Sequence, residues 1–86
     1  MKELEKQYKA LANRRRLAIL KYLKRRKSAS VSEIANYIKL SLKATSKHLA
    51  VLYAVDAVEK EQKGLSAIYS LAVVQKSVIK HALTFI

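Results

Sequence analysis

The chain has 86 residues with 18 Lys or Arg against 6 Asp or Glu, a formal charge of +12 whose self-repulsion a polyanion would relieve, nucleic acid first among candidates. No proline and a single glycine leave no room for a long disordered linker, and the length admits one compact domain, small enough that dimerisation is an expected supplement. The absence of cysteine excludes disulfides, thiolate metal sites and thiol redox sensing.

The opening MKELEKQYK is charged throughout and lacks the apolar stretch of a secretion signal, and the longest apolar run, residues 49–55, is far too short to span a bilayer. A soluble cytoplasmic protein is the expectation. Met1, Leu4, Tyr8 and Leu11 recur at helical spacing among Lys, Glu and Gln, which predicts a first amphipathic helix ending near Asn13. Asn13 is placed to cap a second helix over residues 14–26, with Leu17, Leu20 and Leu23, supported by Ile19, as its buried stripe. Eleven of the 18 basic residues fall in the first 27 positions. Those from Lys24 to Lys27 suit the negative end of a helix dipole as well as they suit a phosphate.

Residues 30–33, Ser-Val-Ser-Glu, have capping-box spacing and start a third helix with Ile34, Ala35 and Ile38 inward. Lys39 and Leu40 form a tight turn, and Ser41 caps a fourth helix reaching Val55; together these two helices make a helix-turn-helix. At about 100° per residue, Leu42, Thr45, Leu49 and Leu52 fall on the core side of the fourth helix, and Lys43, Ser46, Lys47 and Ala50 on the other. Asp56 tolerates the left-handed backbone that often ends a helix. Residues 58–62 and 66–71 alternate in part about Gly64, which predicts a β-hairpin. From Ala72 onward, Val74, Val78, Ile79, Ala82, Leu83, Phe85 and Ile86 trace a wide apolar stripe on a last helix. The fold class is mostly α with a small β-hairpin: a winged helix-turn-helix with a two-stranded wing and a C-terminal helix, one DNA-binding domain over residues 1–86.

On such a scaffold Lys43 and Lys47 stand one turn apart and reach phosphates or guanine edges in a major groove; solubility is the competing explanation for any exposed lysine. Ser46 is small enough to let the helix approach bases and can donate or accept. Ser41 serves first as a cap, and a capped helix N-terminus also favours a nearby phosphate. For His48, at the margin of the buried side, a packed histidine and a phosphate contact are equally open. Catalysis has no support, since there is no glycine-rich phosphate loop, no thiol nucleophile and no His-carboxylate cluster. The expected partner is double-stranded DNA, and no cofactor is expected. His48 and His81 cannot complete a metal site alone, because a stable site takes about four ligands.

The run KALANRRRLAIL at 9–20, the SVSEIA at 30–35, the SLKATSKHLAVL at 41–52, and Val58, Glu59, Gly64 and Tyr69 to Leu71 further on resemble, in order and spacing, the ArsR/SmtB-like winged-helix transcriptional repressors. The likeness covers most of residues 8–71. It implies a small dimeric regulator that represses by occluding a promoter. Ser46, Lys47 and His48 match the family's Ser-basic-His signature, and Lys43 matches an exposed polar position of its recognition helix. The wing around Lys63 and Gly64 would lie along the DNA backbone or minor groove. The first and last helices would form the dimer interface, giving Leu4, Tyr8, Leu11, Val74, Val78 and Phe85 a burial site. Leu42 stands where the family commonly has a polar residue, Lys39 replaces the usual turn glycine, and Leu65 takes the place of a wing Arg. The paired Cys that bind soft metals in many members are missing, so no metal sensing is expected. Two other readings stay open: a DNA-coating architectural protein with little sequence preference, and a winged-helix adaptor for protein or RNA.

Overall fold

The computed structural model describes residues 1–86 as α1 (Lys2–Leu11), α2 (Arg14–Arg26), β1 (Ser28–Ser30), α3 (Val31–Ile38), α4 (Leu42–Ala54), β2 (Val58–Lys63), β3 (Ser66–Leu71) and α5 (Ser77–Leu83). Short polar side chains set three of the five helix starts. Asn13 accepts from the backbone N–H groups of Arg15 and Arg16, at 2.9 and 3.1 Å, and opens α2. Ser30 and Glu33 form a reciprocal capping box at the head of α3, and Ser41 accepts from the Ala44 N–H at 3.1 Å to open α4. Each such cap stabilises its helix by about 1 kcal/mol.

Long cations close several helix ends. Arg16, from α2, donates through Nε to the Ala10 carbonyl at 2.7 Å and through Nη2 to the Lys9 carbonyl at 3.0 Å, both at the end of α1. Arg15 donates to the Ile38 carbonyl that ends α3 (3.0 Å), and Lys24 to the Leu83 carbonyl that ends α5 (2.7 Å). These groups are otherwise the unpaired carbonyls of a helix terminus, where positive charge also suits the dipole. The basic run at the start of α2 is therefore in large part internal scaffolding.

One core of 15 buried residues joins all these elements, with Ile19, Leu20, Leu23, Ile34, Leu49 and Leu52 at its centre. Between α3 and α4 the chain turns through Lys39, whose φ of 57° is left-handed, and the Leu40 N–H returns to the Ala35 carbonyl at 3.1 Å. Leu49, Leu52 and the fully buried Thr45 then fix α4 against the body. Leu42 departs from this stripe: it is 55% exposed, not inward, because as first residue of α4 it lies beyond the edge of the core.

The sheet is antiparallel in the order β1-β3-β2, so it has three strands, not the two expected. Ser28, Ala29 and Ser30 pair with Ser70, Tyr69 and Ile68, which supports only the base of the hairpin. Beyond it, Gln62 and Lys63 pair with Ala67 and Ser66 alone, so the projecting tip is a two-stranded wing. Gly64, with φ of 63°, takes the first central position of the two-residue loop, where a hairpin turn of this kind needs positive φ.

The last helix also starts later than its apolar period suggests. Ala72 N–H bonds the Ala57 carbonyl at 3.1 Å and Val73 N–H bonds the Glu59 carboxylate at 3.0 Å, which hold the backbone out of a helix until Lys76. Val74 therefore precedes α5 and is exposed. In α1 the residues turned to the core are Gln7 and Ala10, while Met1, Leu4 and Tyr8 stay exposed. No helix is long and apolar enough to cross a membrane.

Thr45 carries the one buried side-chain oxygen without a hydrogen-bond partner. A buried, unpaired hydroxyl costs about 1 kcal/mol or more. Thr45→Val keeps the branching at Cβ and is expected to raise unfolding stability by about 1 kcal/mol in urea titration. A loss of stability would show that the hydroxyl is satisfied.

Candidate nucleic-acid interface

The surface of the N-terminal half of α4 is built by two constraints. Ser41 fixes where the helix begins, and Thr45, Leu49 and Leu52 fix which side is buried. Leu42, Lys43, Ser46 and Lys47 are left exposed on the remainder. Neither Lys43 nor Lys47 has a carboxylate partner within the chain. There is no acidic residue in the first turn of α4, so its positive dipole end is not neutralised. A 13-residue helix is about 20 Å long, a length that a major groove accommodates.

The wing stands beside this helix. A groove of about 330 Å³ runs between them, lined by Leu42 and Ser46 of α4, Gln62, Leu65 and Ser66 of the hairpin, and Ser30 to Ser32 at the head of α3. Lys63, on the wing, is exposed and pairs with Glu61 at 3.4 Å, a surface contact of little strength. Of the residues expected to meet nucleic acid, Lys43, Ser46 and Lys47 thus share one face, Ser41 sits at its N-terminus and Lys63 on the adjoining wing. His48 is set apart from them.

His48 is partly buried, and its Nδ1 lies 3.3 Å from Arg16 Nη1. Arginine can only donate, so Nδ1 accepts and the ring proton resides on Nε2. Burial, then the charges of Arg16 and Arg15, hold its pKa below the ordinary 6.5. The ring is a neutral strut that ties α4 to the cation closing α1.

Two residues of this surface escape the sequence pattern. Leu42 fits the inward period and Gln62 belongs to a strand with a single buried residue, Val58. The position of the Ser41 cap is the signal that places Leu42 outside, since it makes Leu42 the first helical residue.

A second surface is apolar. Tyr8 and Leu11 of α1 and Val78, Ala82 and Phe85 of the C-terminal segment line a groove of about 440 Å³ together with Ser77 and His81. Tyr8 is 57% and Phe85 75% exposed, and His81 meets the Phe85 ring edge-on at 5.1 Å. Leu4 is exposed on the same helix as Tyr8. Val74 does not join this groove; it lines another, with Tyr53, Glu59 and Lys76.

Residues 13–60, more than half of the chain, match the family model described as bacterial regulatory protein, arsR family. No curated protein matches the sequence. Among solved structures, HlyU from Vibrio cholerae N16961 is 30% identical with a TM-score of 0.80 over 96% of this chain and 86% of its own. NolR from Sinorhizobium fredii is 28% identical with a TM-score of 0.82 over 98% of this chain and 80% of its own. The homodimeric winged helix-turn-helix DNA-binding domain of Mb0332 from Mycobacterium bovis, a possible ArsR-family transcriptional regulator, is 27% identical with a TM-score of 0.81, covering 98% and 74%.

The strut has a pH signature. In the unfolded chain His48 takes up a proton near its ordinary pKa, whereas the folded environment resists it. Below pH 6.5 the unfolded chain therefore binds more protons, and stability falls with pH until the folded pKa is passed. Well above pH 6.5 the group contributes no pH dependence. Between about pH 7.5 and about pH 5.5, the wild-type melting temperature is expected to fall more than that of His48→Asn, whose carbonyl can still accept from Arg16. Equal slopes would contradict the strut.

Proposed function

Because the chain belongs to the ArsR family of bacterial regulatory proteins, we propose that it is a dimeric, sequence-selective repressor that occludes a promoter by seating α4 in the DNA major groove. The observation that carries this reading is the exposed face of Lys43, Ser46 and Lys47, unpaired within the chain and held outward by the Ser41 cap and the Leu49–Leu52 anchor. Lys43 and Lys47 meet phosphates or guanine edges, Ser46 lets the helix approach the bases, and Lys63 on the wing follows the backbone. Ser41 keeps the helix N-terminus ordered next to a phosphate. His48 supports this face from behind; in its neutral, Arg16-bonded state its part in DNA contact is to fix the tilt of α4.

The terminal helices supply dimerisation in this reading. Tyr8, Leu11, Val78 and Phe85 expose an apolar groove of a kind a small chain gains by covering with a second copy, and Leu4 extends it. Two-fold symmetry then sets two α4 helices about 34–36 Å apart over an inverted repeat. Mb0332 is homodimeric, which supports the assignment. Regulation without a bound metal completes the proposal. It rests on the donor set: the chain lacks cysteine, and within one copy no three His, Asp or Glu side chains gather at ligand spacing.

Two measurements test the reading. Lys43→Ala with Lys47→Ala is expected to flatten the dependence of log affinity on log salt by about 0.9 for each phosphate that the two lysines neutralise in the wild type, with the fold intact. An unchanged slope and affinity would place the DNA surface elsewhere. Val78→Glu puts a charge in the terminal groove and is expected to convert a dimer to a monomer in sedimentation, with weaker DNA binding. A dimer that survives this change would move the interface.

A further inference from the structure

We propose that Leu42 is a base-reading residue of α4, recognising the 5-methyl group of a thymine in the major groove. This rests on the DNA-binding reading above and adds the chemistry of one contact. The exposed side chains over residues 41–47 are Ser41, Leu42, Lys43, Ser46 and Lys47, and Leu42 alone among them has no polar atom. It is 55% exposed on a helix whose other leucines, Leu49 and Leu52, are fully buried.

A single exposed leucine is common on protein surfaces and by itself signifies little. What distinguishes this one is its setting. The Ser41 cap makes it the first helical residue, and helix-turn-helix proteins reach base edges with the N-terminal residues of this helix. Lys43 stands next to it and Lys47 one turn beyond, so the charges that draw the helix to phosphates carry Leu42 with them. Ser46, four residues on, shares its side of the helix and lines the same groove, together with Leu65 at the wing tip.

The partner follows from the chemistry of the base edges. In the major groove, adenine, guanine and cytosine present donors and acceptors, and thymine adds the only apolar group. A leucine against a donor or acceptor strips its water and returns no hydrogen bond, which is unfavourable. Against the thymine methyl it removes apolar surface from water on both sides. Leu42 therefore selects thymine by attraction and disfavours the other bases by their unpaired edges.

The test begins with duplexes selected from a random pool. Each thymine of the selected site is then replaced singly by uracil, which keeps every hydrogen-bonding group and lacks only the methyl. At one thymine in each half-site the replacement is expected to weaken wild-type binding about fourfold, and about fifteenfold when both half-sites are changed. Leu42→Ala is expected to bind the thymine and uracil duplexes alike, whereas Leu42→Met, which keeps an apolar contact, retains the discrimination. The assignment is overturned if no uracil position weakens the wild type, if Leu42→Ala keeps the wild-type sensitivity, or if the selected duplexes share no sequence; DNA binding itself stands in all three cases, and in the last the sequence selectivity proposed above falls with it. Failure to retain any duplex overturns the DNA-binding reading and this inference together.

Discussion

Three cations of α2 hold the ends of three other helices: Arg15 that of α3, Arg16 that of α1 and Lys24 that of α5. Each places positive charge and a hydrogen-bond donor on carbonyls that no helical partner can reach, which answers the two electrostatic demands of a helix C-terminus at once. Since all three spring from one helix, α2 fixes the positions of the others relative to itself. Arg16 extends the arrangement to α4 through the neutral ring of His48. The attitude of α4, and hence what its outer face can meet, depends on this set of contacts.

The 18 basic residues consequently include two distinct groups. One is engaged with backbone carbonyls at helix ends. Arg26 also belongs to the structural group: it bonds the Tyr22 hydroxyl and pairs with Glu33 at 3.2 Å beside the stacked Tyr22 and Tyr37 rings. The other, Lys43 and Lys47 on the outer face of α4, has no carboxylate partner within the chain. Composition alone counts the two together.

The starts of α2, α3 and α4 were legible because caps act over three residues: Asn13, the Ser30–Glu33 box and Ser41 are each satisfied within their own turn. The family resemblance also identified the fold and its wing. Features that depend on distant chain were not legible. Ser28 to Ser30 has no apolar period and becomes a strand only because β3 returns beside it. The residues after Ala72 keep a helical period yet stay out of the helix until Ser77, held by Ala57 and Glu59 of the neighbouring strand segment. For Leu42 the period was correct and the body it pointed at had ended. The stripe of Leu4 and Tyr8 was real but did not serve this chain's own core, which takes Gln7 and Ala10 from α1 instead.

Two surfaces follow from this frame, an apolar one where α1 and α5 meet and a cationic one on α4 and the wing, carried by different elements and free to serve different partners. The separation of structural from outward-facing cations is the claim on which the functional account rests. Backbone hydrogen exchange of the protein with and without a bound duplex tests it most directly. Added protection is expected over residues 41–47 and 62–65, with amides 15–24 of α2 unchanged. Protection centred on α2, or on the α1–α5 groove with α4 unaffected, would contradict it.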